Sequence, residues 1–181
     1  MGEVAERYGR VADGFTARLD GVPAGAWSDP TPCTDWTVTD LVGHVIGVHR
    51  RIVASLDDTE AAEVDPAGDL GRQWREASGA VRAALGDERA EATTSGMFGE
   101  QSFESLVGRL LCSDTLLHTW DLARATDQDE HLDPAAVRAA REMLDPLDEA
   151  LRRPGGFAPK LEPPAGADEQ AELLGFSGRA A

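Results

Sequence analysis

The stretch EQSFESLVGRLLCSDTLLHTWDLARAT, residues 100–126, decides the fold prediction. Apolar side chains recur in it at spacings of three and four residues, as they do on the buried face of an α-helix. In its first half this stripe consists of Phe103, Leu106, Val107, Leu110 and Leu111. The pattern predicts a long helix with one face packed against a hydrophobic core.

Polar residues interrupt the same stripe in its second half, where Asp114, His118 and Asp121 stand among leucines. A carboxylate on a core-facing stripe costs several kcal/mol unless it has a partner or takes up a proton. Asp114 and His118 lie one helical turn apart, so both could reach one metal ion. Alternatively, they bond to each other, or Asp114 pairs with Arg109 or Arg124. The residues alone leave these alternatives open.

The rest of the chain also has helical periodicity, and the alternation of β-branched residues that is typical of strands is missing. Helices are predicted at about residues 3–19, 37–56 and 70–85, with a fifth from residue 133 that Pro146 interrupts and a short one at 169–174. Thr37 and Asp40 have the spacing of a capping box, while Asp133 and Pro134 suit the N-cap and the first helical position. Residues 86–99 are predicted to be a polar, flexible connection.

This helix count favours an all-α fold, an antiparallel four-helix bundle with an accessory C-terminal helix and an irregular tail. We expect residues 1–153 to form the helical, metal-binding bundle. Residues 154–181 are expected to be a Pro- and Gly-rich tail with a short helix, packed on the same domain.

Composition narrows the class of partners. The chain has 181 residues, enough for one domain with a real core, and its net charge is −16. Such an acidic chain repels nucleic acid and anionic membrane surfaces, so neither is an expected partner. The N-terminus lacks a signal-peptide pattern, and no apolar run reaches the length of a membrane span. We therefore expect a soluble, cytoplasmic protein whose two cysteines are reduced.

The second predicted helix carries two histidines, His44 and His49, which lie about 140° apart around the helix axis and cannot easily serve one metal together. Periodicity places His49 nearer the centre of the apolar face and His44 at its edge. Gly43 and Gly47, beside His44, would let another helix or a ligand approach closely. The apolar periodicity alone does not favour either histidine as the metal ligand.

Several other side chains are candidates for the site. Trp36 and Trp120 could line a substrate pocket, although large aromatic residues more often belong to the core. Asp121 and Arg124 could act in catalysis, with one orienting a ligand histidine and Arg124 binding a substrate carboxylate, or they could form an intrahelical ion pair. A nucleophilic role for Cys33 needs a nearby base, and the sequence indicates none. His131 lies in an acidic loop and is predicted to be a surface residue.

Three stretches resemble a known family: WSDPTPCTDWTVTDLVGHVIGVHR at 27–50, DTLLHTWDLARAT at 114–126 and GFAPKLEPPAGADEQAELLGFSGR at 156–179. They are similar to DinB-like metal-binding proteins, in the branch that includes the N-terminal domain of mycothiol-dependent maleylpyruvate isomerase. HTWDLAR, at 118–124, is the most specific piece. The resemblance implies a DinB-like bundle.

In that family a histidine on helix two and an acidic-x-x-x-His pair on a later helix bind one divalent metal. The resemblance therefore implies His44, Asp114 and His118 as ligands, and it favours His44 over His49. Zinc is the expected metal, with nickel or iron as alternatives. The isomerase has a glutamate where this chain has Asp114, and its C-terminal domain has no counterpart after helix five. Isomerisation of maleylpyruvate itself is therefore not expected.

Three protein ligands leave a coordination position open, as in catalytic zinc sites. We expect a metal- and mycothiol-dependent thiol transferase or isomerase, in which a metal-bound water or thiolate acts on an electrophilic small molecule. Its partners would be that molecule and the small thiol, and it would be a monomer or homodimer. The alternatives are a non-catalytic metal- or ligand-binding stress-response protein of the same fold, and a helical interaction module without metal.

Overall fold

A computed structural model describes residues 2–96, 99–152 and 156–180. It confirms the predicted all-α class. The helices are α1 (Glu3–Asp20), α2 (Val38–Ala54), α3 (Leu70–Leu85), α4 (Phe103–Leu106), α5 (Cys112–Ala125), α6 (Pro134–Leu144), α7 (Asp148–Leu151) and α8 (Glu169–Phe176). Short 3-10 turns lie at Ala26–Ser28, Glu88–Glu91 and Asp145–Leu147, and a π-helical turn at Val107–Leu111 joins α4 to α5. Within the described ranges no helix is both long and apolar enough to cross a bilayer.

The chain forms two compact units, Met1–His131 and Leu132–Ala181. In the structure α6, α7 and α8 belong to the second unit. The predicted boundary between residues 153 and 154 falls on residues 153–155, which lie outside the described part of the chain, so the division into residues 1–153 and 154–181 stays a prediction. That the tail packs on the bundle stays a prediction.

In the first unit four helices enclose the core, with α1 beside α3 and α5, and α2 beside the same two helices. Arg82 reaches back to Asp13 and Arg75 to Asp20, so α1 and α3 run antiparallel. Val4 lies beside Gly108 and Arg18 contacts Asp129, so α1 and α5 run in the same direction. The predicted bundle is thus present, with neighbouring helices of mixed direction.

Aromatic residues fill the centre of this bundle. The rings of Phe15 and Trp74 lie 4.7 Å apart, and the indole N–H of Trp74 donates to Thr16 Oγ1 at 2.8 Å. Both rings are fully buried, and burying a side chain of that size contributes about 1.5–3 kcal/mol. The core therefore holds α1 and α3 together and gives α2 and α5 a rigid surface on which to pack.

The predicted helix starts are confirmed by their hydrogen bonds. At the start of α2, Thr37 Oγ1 accepts from the Asp40 N–H at 3.3 Å, while Asp40 Oδ2 accepts from the Thr37 N–H at 2.9 Å. At the start of α6, Asp133 accepts from the Ala136 N–H at 2.8 Å. Pro146 lies in the 3-10 turn that follows α6, as expected of a residue with no N–H to donate.

The helix expected at residues 100–126 begins later than predicted, because its first residues form a strand. Strand β1 (Thr93–Gly96) pairs antiparallel with β2 (Gly99–Ser102), Thr93 lying opposite Ser102. The prediction of a flexible connection at 86–99 and of no strands was therefore wrong. Both strands are short and lack the apolar alternation that predicts a strand. Backbone pairing defines the hairpin, and the Thr94 hydroxyl also donates to the Gln101 carbonyl at 3.3 Å. Met97 and Phe98, which separate the two strands in the sequence, lie outside the described residues.

Candidate metal centre

Three side chains from two helices converge in the first unit. His44 comes from α2 and Asp114 and His118 from α5, and one ligand atom of each lies within 4.8 Å of the others. Asp114 Oδ1 is 3.4 Å from His44 Nε2 and 3.6 Å from His118 Nε2. Both imidazoles thus direct the same ring nitrogen at one carboxylate. The structure brings the three predicted ligands together, while their binding of a metal stays a prediction.

Local structure sets the positions of these donors. Asp114 and His118 stand one turn apart near the start of α5, directly after the π-helical turn, and such turns are frequent at functional sites. The capping box fixes the start of α2 at Val38, six residues before His44. Gly43 and Gly47 face the side chain of Val64, which belongs to the connection between α2 and α3. Within the described chain, this loop residue lies where a second helix or a ligand was expected.

The site has a strongly coupled charge pair. Burial alone would raise the pKa of the Asp114 carboxyl, but His118 and then His44 outweigh it and hold that pKa well below its usual value. Burial would lower the pKa of His118, but the charge of Asp114 and hydrogen bonds to Asp114, Asp121 and Cys33 raise it well above the ordinary value. In the metal-free protein these shifts favour a proton on His118, which a cation that binds this ring would have to displace.

One oxygen of this carboxylate has no partner. Asp114 Oδ2 is buried and accepts no hydrogen bond within the described part of the chain. A buried anionic oxygen without a partner is costly, so it marks a place where a cation would be stabilised. In a tetrahedral zinc site nitrogen and oxygen donors lie about 3.4 Å apart. The two separations at Asp114 Oδ1 match that spacing, so the residues fit the implied metal.

A second carboxylate orients His118. Asp121 is fully buried, and its Oδ2 lies 2.9 Å from His118 Nδ1. A carboxylate bonded to one ring nitrogen fixes the ring and leaves the other nitrogen for a metal. Of the two alternatives for Asp121, the structure favours orientation of the histidine. Arg124 Nε lies 2.8 Å from Glu130 Oε1, so Glu130 balances the charge of the arginine in place of the predicted intrahelical pair with Asp121.

The structure places a carboxylate and an imidazole beside Cys33, which the sequence alone did not indicate. Its thiol donates to Asp121 Oδ2 at 3.3 Å, and its Sγ lies 3.9 Å from His118 Nδ1. Cys33 comes from the loop before α2, and an antiparallel bridge between Pro30 and Thr37 closes this loop around it. More than eighty residues separate Cys33 from its partners, so no periodicity could have indicated this contact.

The structure separates the two histidines of α2. His49 is fully buried, its ring 4.7 Å from that of Trp74 and 5.8 Å from that of Tyr8. Its Nδ1–H donates to the Val45 carbonyl at 2.8 Å, and burial lowers its pKa to about 4. His49 is thus a neutral core residue, and His44 is the one that lies beside Asp114.

The remaining candidates occupy different places. Trp36 is half-buried, with its ring 4.7 Å from that of His44 and 5.8 Å from that of His118, so it covers both imidazoles. Trp120 is buried, and the exposed Arg124 guanidinium lies 4.8 Å from its ring centre. His131 is exposed and bonds to Asp129, as expected of a surface histidine. Roles in substrate binding for Trp36, Trp120 and Arg124 stay predictions.

Comparisons with known proteins give one family match and two relatives. Residues 8–123 match the family model of the mycothiol maleylpyruvate isomerase N-terminal domain. The uncharacterized protein Rv0738 of Mycobacterium tuberculosis is 33% identical over 176 residues, covering 92% of this chain and 93% of the relative. The uncharacterized protein Rv0036c of the same organism is 31% identical over 64 residues, which cover 32% of this chain and 25% of the relative. No solved structure matches the chain.

Proposed function

Because this chain belongs to the family of the mycothiol maleylpyruvate isomerase N-terminal domain, we propose that it is a metal-dependent enzyme of mycothiol chemistry. In this proposal the protein is a thiol transferase or isomerase that joins mycothiol to an electrophilic small molecule. The observation that carries it is the convergence of His44, Asp114 and His118, together with the buried second oxygen of Asp114, which accepts no hydrogen bond from the described residues.

The ligands would be the Nε2 atoms of His44 and His118 and the carboxylate of Asp114. Two imidazoles and one carboxylate suit zinc, and also nickel or ferrous iron, and we propose zinc. With three protein donors, the donor set is that of a catalytic site and not of a closed structural one. When bound, such a cation lowers the pKa of a coordinated thiol, which then serves as a nucleophile at neutral pH.

The surrounding residues support this chemistry. Asp121 holds the Nδ1–H of His118, so that the Nε2 lone pair of the neutral ring faces Asp114 and His44. The Trp36 ring lies over both histidines and shields the site from water on that side. Asp114 shares its negative charge with both rings, which favours replacement of the His118 proton by a divalent cation.

Metal content and thiol transfer test the proposal together. Wild-type protein, His118→Ala and the matched control His131→Ala would be purified without chelators, reconstituted with zinc and measured by elemental analysis. We expect about one zinc per chain in the wild type and in His131→Ala, and loss of that zinc in His118→Ala. His131 is a suitable control because its side chain is 93% exposed.

Mycothiol consumption would then be followed with a panel of electrophiles, including epoxides, alkyl halides and α,β-unsaturated acids. The proposal predicts zinc-dependent consumption by the wild type that His118→Ala lacks and His131→Ala retains. Wild-type protein that binds no divalent metal would refute the site. Bound zinc without turnover on any electrophile would refute the enzymatic part and favour a binding protein.

A further inference from the structure

His118 lies between two sets of donor atoms, one beside each of its ring nitrogens. Its Nε2 faces Asp114 and His44, whereas its Nδ1 faces Asp121 Oδ2 at 2.9 Å and Cys33 Sγ at 3.9 Å. The third separation, from Cys33 Sγ to Asp121 Oδ2, is 3.3 Å. A thiol, an imidazole nitrogen and a carboxylate oxygen thus form a compact triangle on the far side of the same ring.

These separations are close to those of a metal site. Zinc–sulfur bonds of about 2.3 Å and zinc–nitrogen or zinc–oxygen bonds of about 2.0–2.2 Å place tetrahedral donors about 3.4–3.6 Å apart, and a larger cation such as Cd²⁺ needs somewhat wider separations. Each of the three observed separations is within about 0.5 Å of that spacing, so small side-chain movements suffice. Asp121 is fully buried and His118 is 8% exposed, so two of the donors are held firmly by the packing of α5.

We propose that Cys33, His118 Nδ1 and Asp121 form a second metal site, selective for thiophilic cations such as Cd²⁺. The thiolate makes this donor set softer than that of His44, Asp114 and His118, which has nitrogen and oxygen alone. On binding, the Cys33 thiol and the His118 Nδ1–H each lose a proton to solvent. The cation then replaces the hydrogen bonds that Asp121 now receives from both groups.

The two sites are alternatives, because they use opposite tautomers of one neutral imidazole. A metal on Nε2 keeps the Nδ1–H on Asp121, and a metal on Nδ1 leaves an Nε2–H directed at Asp114. One chain therefore holds one cation at a time, and the softness of the cation decides on which side of His118 it lies. The second site needs neither His44 nor any turnover, so it does not rest on the proposed function.

Thiolate coordination gives the test a direct readout. Metal-free, reduced protein would be titrated with Cd²⁺, and the ultraviolet thiolate-to-metal charge-transfer band would be recorded. We expect the band in the wild type and in His44→Ala, and its loss in Cys33→Ser and Cys33→Ala. Cys112→Ser is the matched control, because Cys112 is the other cysteine of the sequence and its substitution should leave the band intact. Asp121→Asn should weaken Cd²⁺ binding without removing the band, because the thiolate remains.

Three results would overturn this inference. The first is a wild type that binds Cd²⁺ without a charge-transfer band. The second is a band that Cys112→Ser abolishes and Cys33→Ser keeps. The third is a band lost in His44→Ala, which would mean that Cys33 joins the first site instead of forming its own. Circular dichroism would confirm that each variant is folded, and a folded His44→Ala that keeps the band while binding no zinc would separate the two sites.

Discussion

Replacing His49 by phenylalanine should remove a large part of the acid sensitivity of this protein. The imidazole is fully buried, its Nδ1–H is bonded to the Val45 carbonyl, and its Nε2 accepts no hydrogen bond within the described residues. Burial lowers its pKa from 6.5 to about 4. Because the unfolded state takes up the proton first, the stabilising contribution is complete above pH 6.5 and is lost as pH falls towards 4. Linkage gives a loss of about 2 kcal/mol at pH 5 and about 3 kcal/mol at pH 4.

Urea unfolding of the wild type and of His49→Phe, followed by circular dichroism between pH 4 and pH 8, measures this contribution. A phenyl ring keeps the aromatic contacts with Trp74 and Tyr8 but does not titrate. The difference in unfolding free energy between the two proteins should therefore shift in favour of His49→Phe by about 3 kcal/mol as the pH falls from 8 to 4. Carboxylates titrate in both proteins and cancel in the difference. Parallel stability curves would refute the assignment of His49 as a neutral core residue.

Three further predictions concern the site and its scaffold. Asp121→Asn should weaken zinc binding by about 10–100-fold, because it removes the carboxylate that orients His118. Competition with a chromophoric chelator would measure the affinity for zinc, and an unchanged affinity would contradict that role of Asp121. Zinc binding should release a proton and weaken by about tenfold for each unit of pH below neutrality, because the pKa of His118 is raised in the metal-free protein. Calorimetry in buffers of different ionisation enthalpy would detect the proton, and zinc uptake without proton release would contradict the prediction. Thr37→Ala should lower the free energy of unfolding in urea by about 1 kcal/mol, because the capping box with Asp40 is lost. The control Thr59→Ala, in an exposed loop, should change this free energy little, and equal effects of the two substitutions would argue against the cap.

The helices could be predicted from sequence because their information is local. Apolar spacing gave α1, α2 and α3, and the starts of α2 and α6 followed from Thr37 with Asp40 and from Asp133 with Pro134. The hairpin of β1 and β2 could not be predicted in this way. Its residues, TTSG and GEQS, include no large apolar side chain, so the backbone pairing that defines it leaves no hydrophobic pattern in the sequence.

Only some residues of the site could be predicted from the sequence. Asp114 and His118 stood out because a polar pair interrupted an apolar stripe, and one helix carries both. The choice of His44 over His49 needed the resemblance, since a helical wheel gives no distances between helices. Cys33 could not be placed beside Asp121 at all, because a loop and a helix 88 residues later meet only in the folded chain.

The π-helical turn at Val107–Leu111 lets the chain hold one residue more without changing the direction of the ligands that follow it. A π-turn bonds residues five apart instead of four, so it accommodates about one residue more than an α-turn over nearly the same rotation. If this segment became a continuous α-helix with all its residues kept, Asp114 and His118 would turn by about 100° relative to the residues before it and would no longer face His44. A homologue one residue shorter at this point could instead form a continuous α-helix and keep the same converging ligands.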